Sequence, residues 1–277
     1  MPQKFSEYLG LGIAGNFALH LAQAGELEEF KDIITADEAA PKGLFPFYLP
    51  NFPENSQLSS YPLSSDTIQL PNRDVNVQME PEVGLICKLT YSNDKLVGIK
   101  PTHFGAYNDC SIRVAGAKKI SEKKNWGANS KGFASTLLEI DRFEAGGIMD
   151  NYSICSYLKR SNKLIPYGEN VELLGYSYFY AKLTTWIQNQ INTQEDFGPL
   201  EPLLEYIQIC DYPAQAIISI GATRYTEYGE KTFLKKDDEL FVVVYDHTNY
   251  SYDNITTLLQ NEEYTQKSMS ILHQRVV

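Results

Sequence analysis

The chain has 277 residues, 43% of them hydrophobic, and a formal net charge of −11 at pH 7. That length and apolar content supply a full core, built as one large domain or two small ones. The acidic balance argues against nucleic acid, which needs a basic footprint, and against an anionic membrane surface, so any anionic small molecule must be met by locally concentrated positive charge.

Residues 9–24 are fairly apolar and end in Ala22-Gln23-Ala24, which mimics a signal-peptidase site. Asn16, His20 and the glycines make a poor apolar region, and Glu7 offsets Lys4, so a cytoplasmic protein is expected. Gly10-Leu11-Gly12-Ile13-Ala14-Gly15 matches the dinucleotide fingerprint Gly-x-Gly-x-x-Gly. That fingerprint needs a βαβ unit around it, and only a helix over about residues 16–24 is credible here. A short strand turning tightly into a helix, with glycines giving backbone room, is the competing reading.

Six prolines fall within residues 41–71 among Phe45, Phe47, Tyr48, Phe52 and Tyr61, which predicts an ordered loop or short extended pieces. Residues 74–91 alternate as a strand does. Val75, Val77 and Met79 face one side, with Asn76, Gln78, Glu80 and Glu82 on the other. Pro81 cannot donate to a ladder, which puts the acidic pair at an edge or bulge. Asn93-Asp94 suits a hairpin turn, with a second strand over residues 95–100. Residues 107–114 read as a further strand carrying Asp109. The basic run 118–124 reads as a solvated loop or helix face. Residues 153–159 and 170–174 read as strands around a turn near Asn162. Residues 176–194 form the best helix, with Phe179, Leu183, Trp186, Ile187 and Gln190 on helical spacing. Strands over 215–220 and 239–245 are separated by the charged turn Lys235-Lys236-Asp237-Asp238. Strands dominate without regular alternation, which predicts an α+β fold with a mixed or antiparallel sheet core.

The four cysteines lie far apart with no Cys-x-x-Cys, as buried thiols of a reducing compartment do. The four histidines form no zinc-like cluster, and no run is long and apolar enough to span a membrane. The chemistry is expected between Gln78 and Lys131. Glu80 and Glu82 leave one face of an extended strand, and two carboxylates so placed repel unless a cation sits between them. A hard divalent ion such as Mg²⁺ or Ca²⁺ takes such oxygens. Asp109 is a candidate third carboxylate, and Arg113 and Lys131 are candidate donors to an anion.

In these residues the chain resembles the fumarylacetoacetate hydrolase superfamily in its single-domain form. The resemblance rests on residues 12–20 ending in His20, Pro41-Lys42-Gly43-Leu44-Phe45, Glu80-Pro81-Glu82, Asn108-Asp109-Cys110-Ser111-Ile112-Arg113, Trp126 with Lys131-Gly132-Phe133, and Gly221-Ala222-Thr223. It implies a β-roll-like fold of sheet layers. Residues 1–70 would form an N-terminal segment with a lid-type helix and Pro-rich loop, packed on a catalytic domain of residues 71–277. It implies a homodimer and Mg²⁺, or Mn²⁺ or Ca²⁺, held by Glu80, Glu82 and Asp109. The implied reaction is metal-dependent hydrolysis or lysis of a small 1,3-dicarbonyl or 2-oxo acid through an enolate. Lys131 and Arg113 would bind substrate and stabilise charge, Thr223 would meet the substrate carboxylate, and His20 would act as general base.

The departures fall at the water-activating end. Gln23 stands where hydrolytic members carry the carboxylate that orients the histidine, Val114 replaces an Asp, and Gly116 replaces a Gln. Ala134-Ser135 and residues 137–140 also depart from the pattern. A non-catalytic relative that keeps the metal site is the alternative, with nucleotide binding by Gly10–Gly15 as a third.

Overall fold

The computed structural model describes residues 5–277 apart from Leu19, Ala36 and Ala115. Along the chain the strands are β1 (Leu9–Ala14), β2 (Gly43–Tyr48), β3 (Leu63–Ser64), β4 (Thr67–Ile68), β5 (Asn76–Gln78), β6 (Pro81–Ser92), β7 (Lys95–Asn108) and β8 (Ser111–Arg113). They continue as β9 (Lys131–Phe133), β10 (Leu138–Glu139), β11 (Tyr152–Arg160), β12 (Lys163–Glu172), β13 (Gln215–Ser219), β14 (Glu239–Asp246) and β15 (Met269–Val276). The helices are α1 (His20–Gln23), α2 (Ser121–Lys124), α3 (Tyr180–Thr193), α4 (Leu203–Ile209), α5 (Glu227–Glu230) and α6 (Tyr252–Gln260).

One mixed sheet runs β2-β1-β13-β6-β7-β9-β3, with β10 also on β7. A second runs β12-β11-β14-β15-β4, and β5 pairs with β8 in a small third. Strands β14 and β15 pack against β7, so Leu85, Phe104, Val244 and Leu272 share one core between the large sheets. The α+β fold with mixed sheet layers is the one expected. Among the described residues no helix is long and apolar enough to cross a membrane.

The longest hairpin, β6–β7, turns at Asn93 and Asp94, both left-handed (φ 49° and 59°), as a two-residue hairpin loop demands. The β11–β12 hairpin turns likewise at Ser161 and Asn162. Strand β1 lies between β13, parallel to it, and β2, antiparallel. Gly10 and Gly12 face the rings of Phe47 and Phe45, and a Cβ at either would stand 2.4 or 2.3 Å from them. Those glycines make room for aromatics inside a sheet; no nucleotide loop is formed. The aromatic, Pro-rich stretch supplies β2, β3 and β4, as short extended pieces.

Several boundaries move for identifiable reasons. The strand expected over 74–91 breaks before Pro81, which begins β6, while β5 pairs instead with β8. The strand expected over 107–114 breaks at Asp109 and Cys110 between β7 and β8. The helix expected over 16–24 contracts to α1; Leu19 lies outside the described residues. Gly25, at φ +72°, ends α1 in a Schellman motif, with Glu26 N–H to Leu21 O (2.9 Å) and Gly25 N–H to Ala22 O (3.1 Å). Helix α3 starts at Tyr180, not 176. Asn16 holds the preceding segment in a non-helical course: Ser177 N–H donates to its carbonyl (3.0 Å) and Tyr178 N–H to its side-chain oxygen (2.8 Å).

Candidate active site

Sheet register assembles the acidic residues. Pro81 lies opposite Asn108 in the β6–β7 ladder, and one step further Asp109 N–H donates to Glu80 O (2.9 Å). On the far side of β7, Asn108 lies opposite Gly132 of β9, which brings Lys131 beside Asp109. Strand β13 runs along β6 and delivers residues 220–223: Ile220 N–H meets Val83 O and Thr223 N–H meets Pro81 O, both 3.1 Å. Gly221, at φ +108°, turns its N–H onto Glu82 Oε2 (2.9 Å). A side chain at Gly221 would meet Asn16, whose amide donates to Ile220 O (2.8 Å) and Tyr178 O (3.0 Å).

The predicted carboxylates come together as expected. Glu80, Glu82 and Asp109 are all buried and place ligand oxygens within 4.8 Å of one another. Lys131 Nζ lies 2.5 Å from Asp109 Oδ1. Arg113 spreads its fork over four partners: Glu80 Oε1 (2.8 Å), Glu26 Oε1 (2.8 Å), Gln78 Oε1 (2.7 Å) and the Tyr225 hydroxyl (3.0 Å). That hydroxyl in turn donates to Met79 O at 3.0 Å.

The basic run behaves otherwise than expected. Lys118 and Lys119 lie toward the surface, but Lys123 and Lys124 are only 2% and 3% exposed. Lys124 Nζ stands 2.6 Å from both Glu80 Oε2 and Asp109 Oδ2, and Lys123 Nζ pairs with Glu26 (2.8 Å) and Glu29 (2.7 Å). A lysine is buried only where acids compensate it, and here the acids come from distant parts of the chain. Sequence reasoning missed Lys123, Lys124, Glu26, Gln78 and Tyr225. The available signal was arithmetic: Arg113 and Lys131 alone do not balance the carboxylates gathered there.

Burial and charge set the protonation states. Burial alone would raise the Glu80 carboxyl, yet Lys124 and Arg113 beside it hold it well below the usual range. Glu82 is pushed well up, first by burial and then by the Asp109 charge. Lys124 is held up against its burial by Asp109 and Glu80, whereas burial prevails at Lys131 and lowers it. Burial also lowers His20, which favours the neutral imidazole.

His20 Nδ1 lies 2.9 Å from Thr223 O, a carbonyl that can only accept, so Nδ1 carries the proton and Nε2 is the lone-pair nitrogen. That Nε2 is buried with no hydrogen-bond partner. Gln23, which stands where hydrolytic members carry the orienting carboxylate, is bonded elsewhere than to the imidazole. Its amide closes both hydrogen bonds on the Tyr225 backbone, Nε2 to O (3.1 Å) and Oε1 from N–H (2.9 Å). The Thr223 hydroxyl is buried and reaches Pro81 O (3.4 Å), so its carbonyl, not its side chain, serves His20. A cleft of about 340 Å³ lined by Glu26, Glu29, Arg113, Gly116 and Lys123 opens beside the cluster.

The donor set fits a hard divalent cation. It is three carboxylates, and Glu80 Oε1 and Asp109 Oδ2 have ion partners but no aligned hydrogen bond, which leaves lone pairs for a metal. The triad is therefore a candidate divalent-metal site.

The fold is similar to that of solved structures that include a fumarylacetoacetate hydrolase family protein. The structure of Cg1458 with inhibitor matches at TM-score 0.58 and 14% identity, over 97% of this chain and 76% of that one. A Yersinia pestis CO92 protein assigned to the fumarylacetoacetate hydrolase family matches at TM-score 0.51 and 13% identity, over 97% and 93%. A 2-keto-3-deoxy-D-arabinonate dehydratase complexed with magnesium and 2,5-dioxopentanoate matches at TM-score 0.51 and 14% identity, over 97% and 72%. At these identities the likeness is one of fold, and the sequence is divergent. Residues 26–276 match the profile of a family of unknown function (DUF5718), and the chain belongs to that family. No curated protein matches the sequence.

Proposed function

We propose that the protein is a divalent-metal-dependent enzyme that cleaves, decarboxylates or hydrates a small 1,3-dicarbonyl or 2-oxo acid through an enolate. The observation that carries this reading is the buried Glu80–Glu82–Asp109 triad. The neighbour that holds magnesium and 2,5-dioxopentanoate supports it by analogy of fold. A divalent ion held by Glu80, Glu82 and Asp109 would polarise the 2-oxo and carboxylate oxygens of such a ligand. Lys131 and Arg113 bring fixed positive charge to the carboxylate and to the oxygen where charge develops. His20, its tautomer set by Thr223 O, offers Nε2 to accept a proton from water or from the carbon acid.

One observation favours a second reading, in which the site binds a ligand without turnover. His20 Nδ1 faces a backbone carbonyl and Gln23 is committed to Tyr225, so among the described residues no carboxylate is hydrogen-bonded to the imidazole. Loss of such a partner costs orders of magnitude in triad enzymes. Assaying oxaloacetate and a series of acylpyruvates with Mg²⁺ or Mn²⁺ separates the two. Turnover abolished by Glu82→Gln supports the enzyme. Metal-dependent binding of the same acids without turnover supports the second reading, and neither turnover nor binding removes both. A homodimer and a cytoplasmic setting belong to the same proposal. Light scattering tests the first, and four free buried cysteines support the second.

A further inference from the structure

We propose that Lys124 is the built-in cation of the acidic triad: its ammonium fills the seat between Glu80 and Asp109, and a divalent ion enters only by displacing it or by arriving with a dianionic ligand. The inference rests on the reading of the triad as a metal site given above.

The seat is built from several sides. Lys124 Nζ lies 2.6 Å from Glu80 Oε2 and 2.6 Å from Asp109 Oδ2, and 5.3 Å from the centroid of the Phe45 ring. Lys131 Nζ stands in the same relation to Phe47, 5.5 Å from its centroid, so alternate aromatics of β2 underlie both ammonium groups. The backbone gives Lys124 little freedom. Its neighbour Lys123 is tied to Glu26 and Glu29, and its other neighbour, Asn125, donates to Phe47 O (2.8 Å) and Ser60 O (2.9 Å). Helix α2 is pinned from behind by Ile120 N–H on Pro199 O (3.1 Å) and by Lys119 Nζ on Leu200 O (2.6 Å). A side chain delivered so firmly to two carboxylates is a component of the site.

Size and charge make the ammonium and a metal ion rivals. A magnesium ion sits at about 2.1 Å from its oxygens, so an ion placed between these two oxygens would occupy the position the ammonium nitrogen already holds. With every group in its ionised form the buried cluster is also balanced. Arg113, Lys123, Lys124 and Lys131 face Glu26, Glu80, Glu82 and Asp109, four formal charges of each sign. Glu29, which reaches Lys123 from the surface, is outside that sum. A divalent ion alone would leave two positive charges uncompensated in a buried site, which is costly. A dianion arriving with it restores the balance.

The test measures Mn²⁺ binding by the paramagnetic resonance of free Mn²⁺, with melting temperature alongside, and needs no substrate turnover. It compares wild type, Lys124→Met and Lys124→Gln, each with and without oxalate as the dianion. The glutamine variant offers both carboxylates an N–H without charge, so it serves where the methionine variant fails to fold. The expected result is weak binding of Mn²⁺ alone to wild type, and binding tighter by roughly tenfold or more to a Lys124 variant. Oxalate should tighten Mn²⁺ binding to wild type far more than to the variants. Equal affinity of wild type and variants for Mn²⁺ alone overturns the role of Lys124. If oxalate still promotes Mn²⁺ binding in that case, the metal-site reading survives. If no form binds Mn²⁺ under either condition, both fall.

Discussion

The ammonium of Lys131 lies 2.5 Å from Asp109 Oδ1, and both side chains are wholly buried. Removing Lys131 leaves Asp109 buried with Lys124 as its remaining ion partner. Lys131→Met should therefore lose about 1.5–3 kcal/mol of stability in urea denaturation. Lys131→Met/Asp109→Asn, which removes both charges, should recover much of that loss. A double variant no more stable than the single one would show that the pair is not coupled in this way.

Arg113 reaches two carboxylates, an amide and a phenol with one planar group. A lysine offers a single ammonium with no fork, so Arg113→Lys keeps the charge and loses most of the partners. The expected cost is about 1–3 kcal/mol by denaturation, with weaker oxalate binding. A stability equal to wild type would mean that charge alone, and not the fork, matters at this position.

Much of this cluster was legible in the sequence because its parts are local. Glu80 and Glu82 share a face through the two-residue period, and Asn93-Asp94 marks the hairpin, but the strand expected over 95–100 runs on to Asn108, and that longer ladder sets Asp109 beside Glu80. Lys124 was illegible because nothing near it in sequence distinguishes it from a solvated lysine. Its partners are Asp109, from the end of β7, and Glu80, from the start of β6. The parallel pairing of β1 with β13 is equally non-local, and so is the non-helical course of residues 176–179, held by Asn16 through its carbonyl and side chain. Helical spacing of apolar residues runs into this segment, but its Tyr, Ser and Phe are weak helix formers and the tertiary hydrogen bonds prevail. Strand β15 and helices α4 and α6 were also missed, although α6 opens on a capping box between Ser251 and Asn254.

Glu201 gives the fold a pH dependence of its own. Its carboxyl is buried with neither oxygen hydrogen-bonded, and burial raises it to about 7. The unfolded chain ionises this group near pH 4.3 while the folded chain keeps it protonated, so stability falls as pH rises from about 4.5 to 7 and is level above. Glu201→Gln removes this penalty. The variant should gain on wild type across that window, reaching about 2–3 kcal/mol at pH 8. Denaturation at pH 5 and pH 8 checks it, and an equal difference at both would contradict it.

His20 separates chemistry from stability. His20→Asn keeps a donor toward Thr223 O and deletes the unpartnered Nε2. The melting temperature should change little, while kcat on any acylpyruvate or 2-oxo acid that turns over should fall by about 10²–10⁴. A variant with full kcat would remove His20 from the chemistry.

The most direct measurement is the thermal stability of wild type and Glu82→Gln with Mn²⁺, with oxalate, and with both. Ligands that bind only the folded state raise its melting temperature. The glutamine keeps an acceptor for Gly221 N–H but weakens the metal ligand. The account predicts a large rise in wild type only when metal and oxalate are added together, and loss of that rise in Glu82→Gln. No rise in wild type under any condition, or the same rise in both proteins, would contradict it.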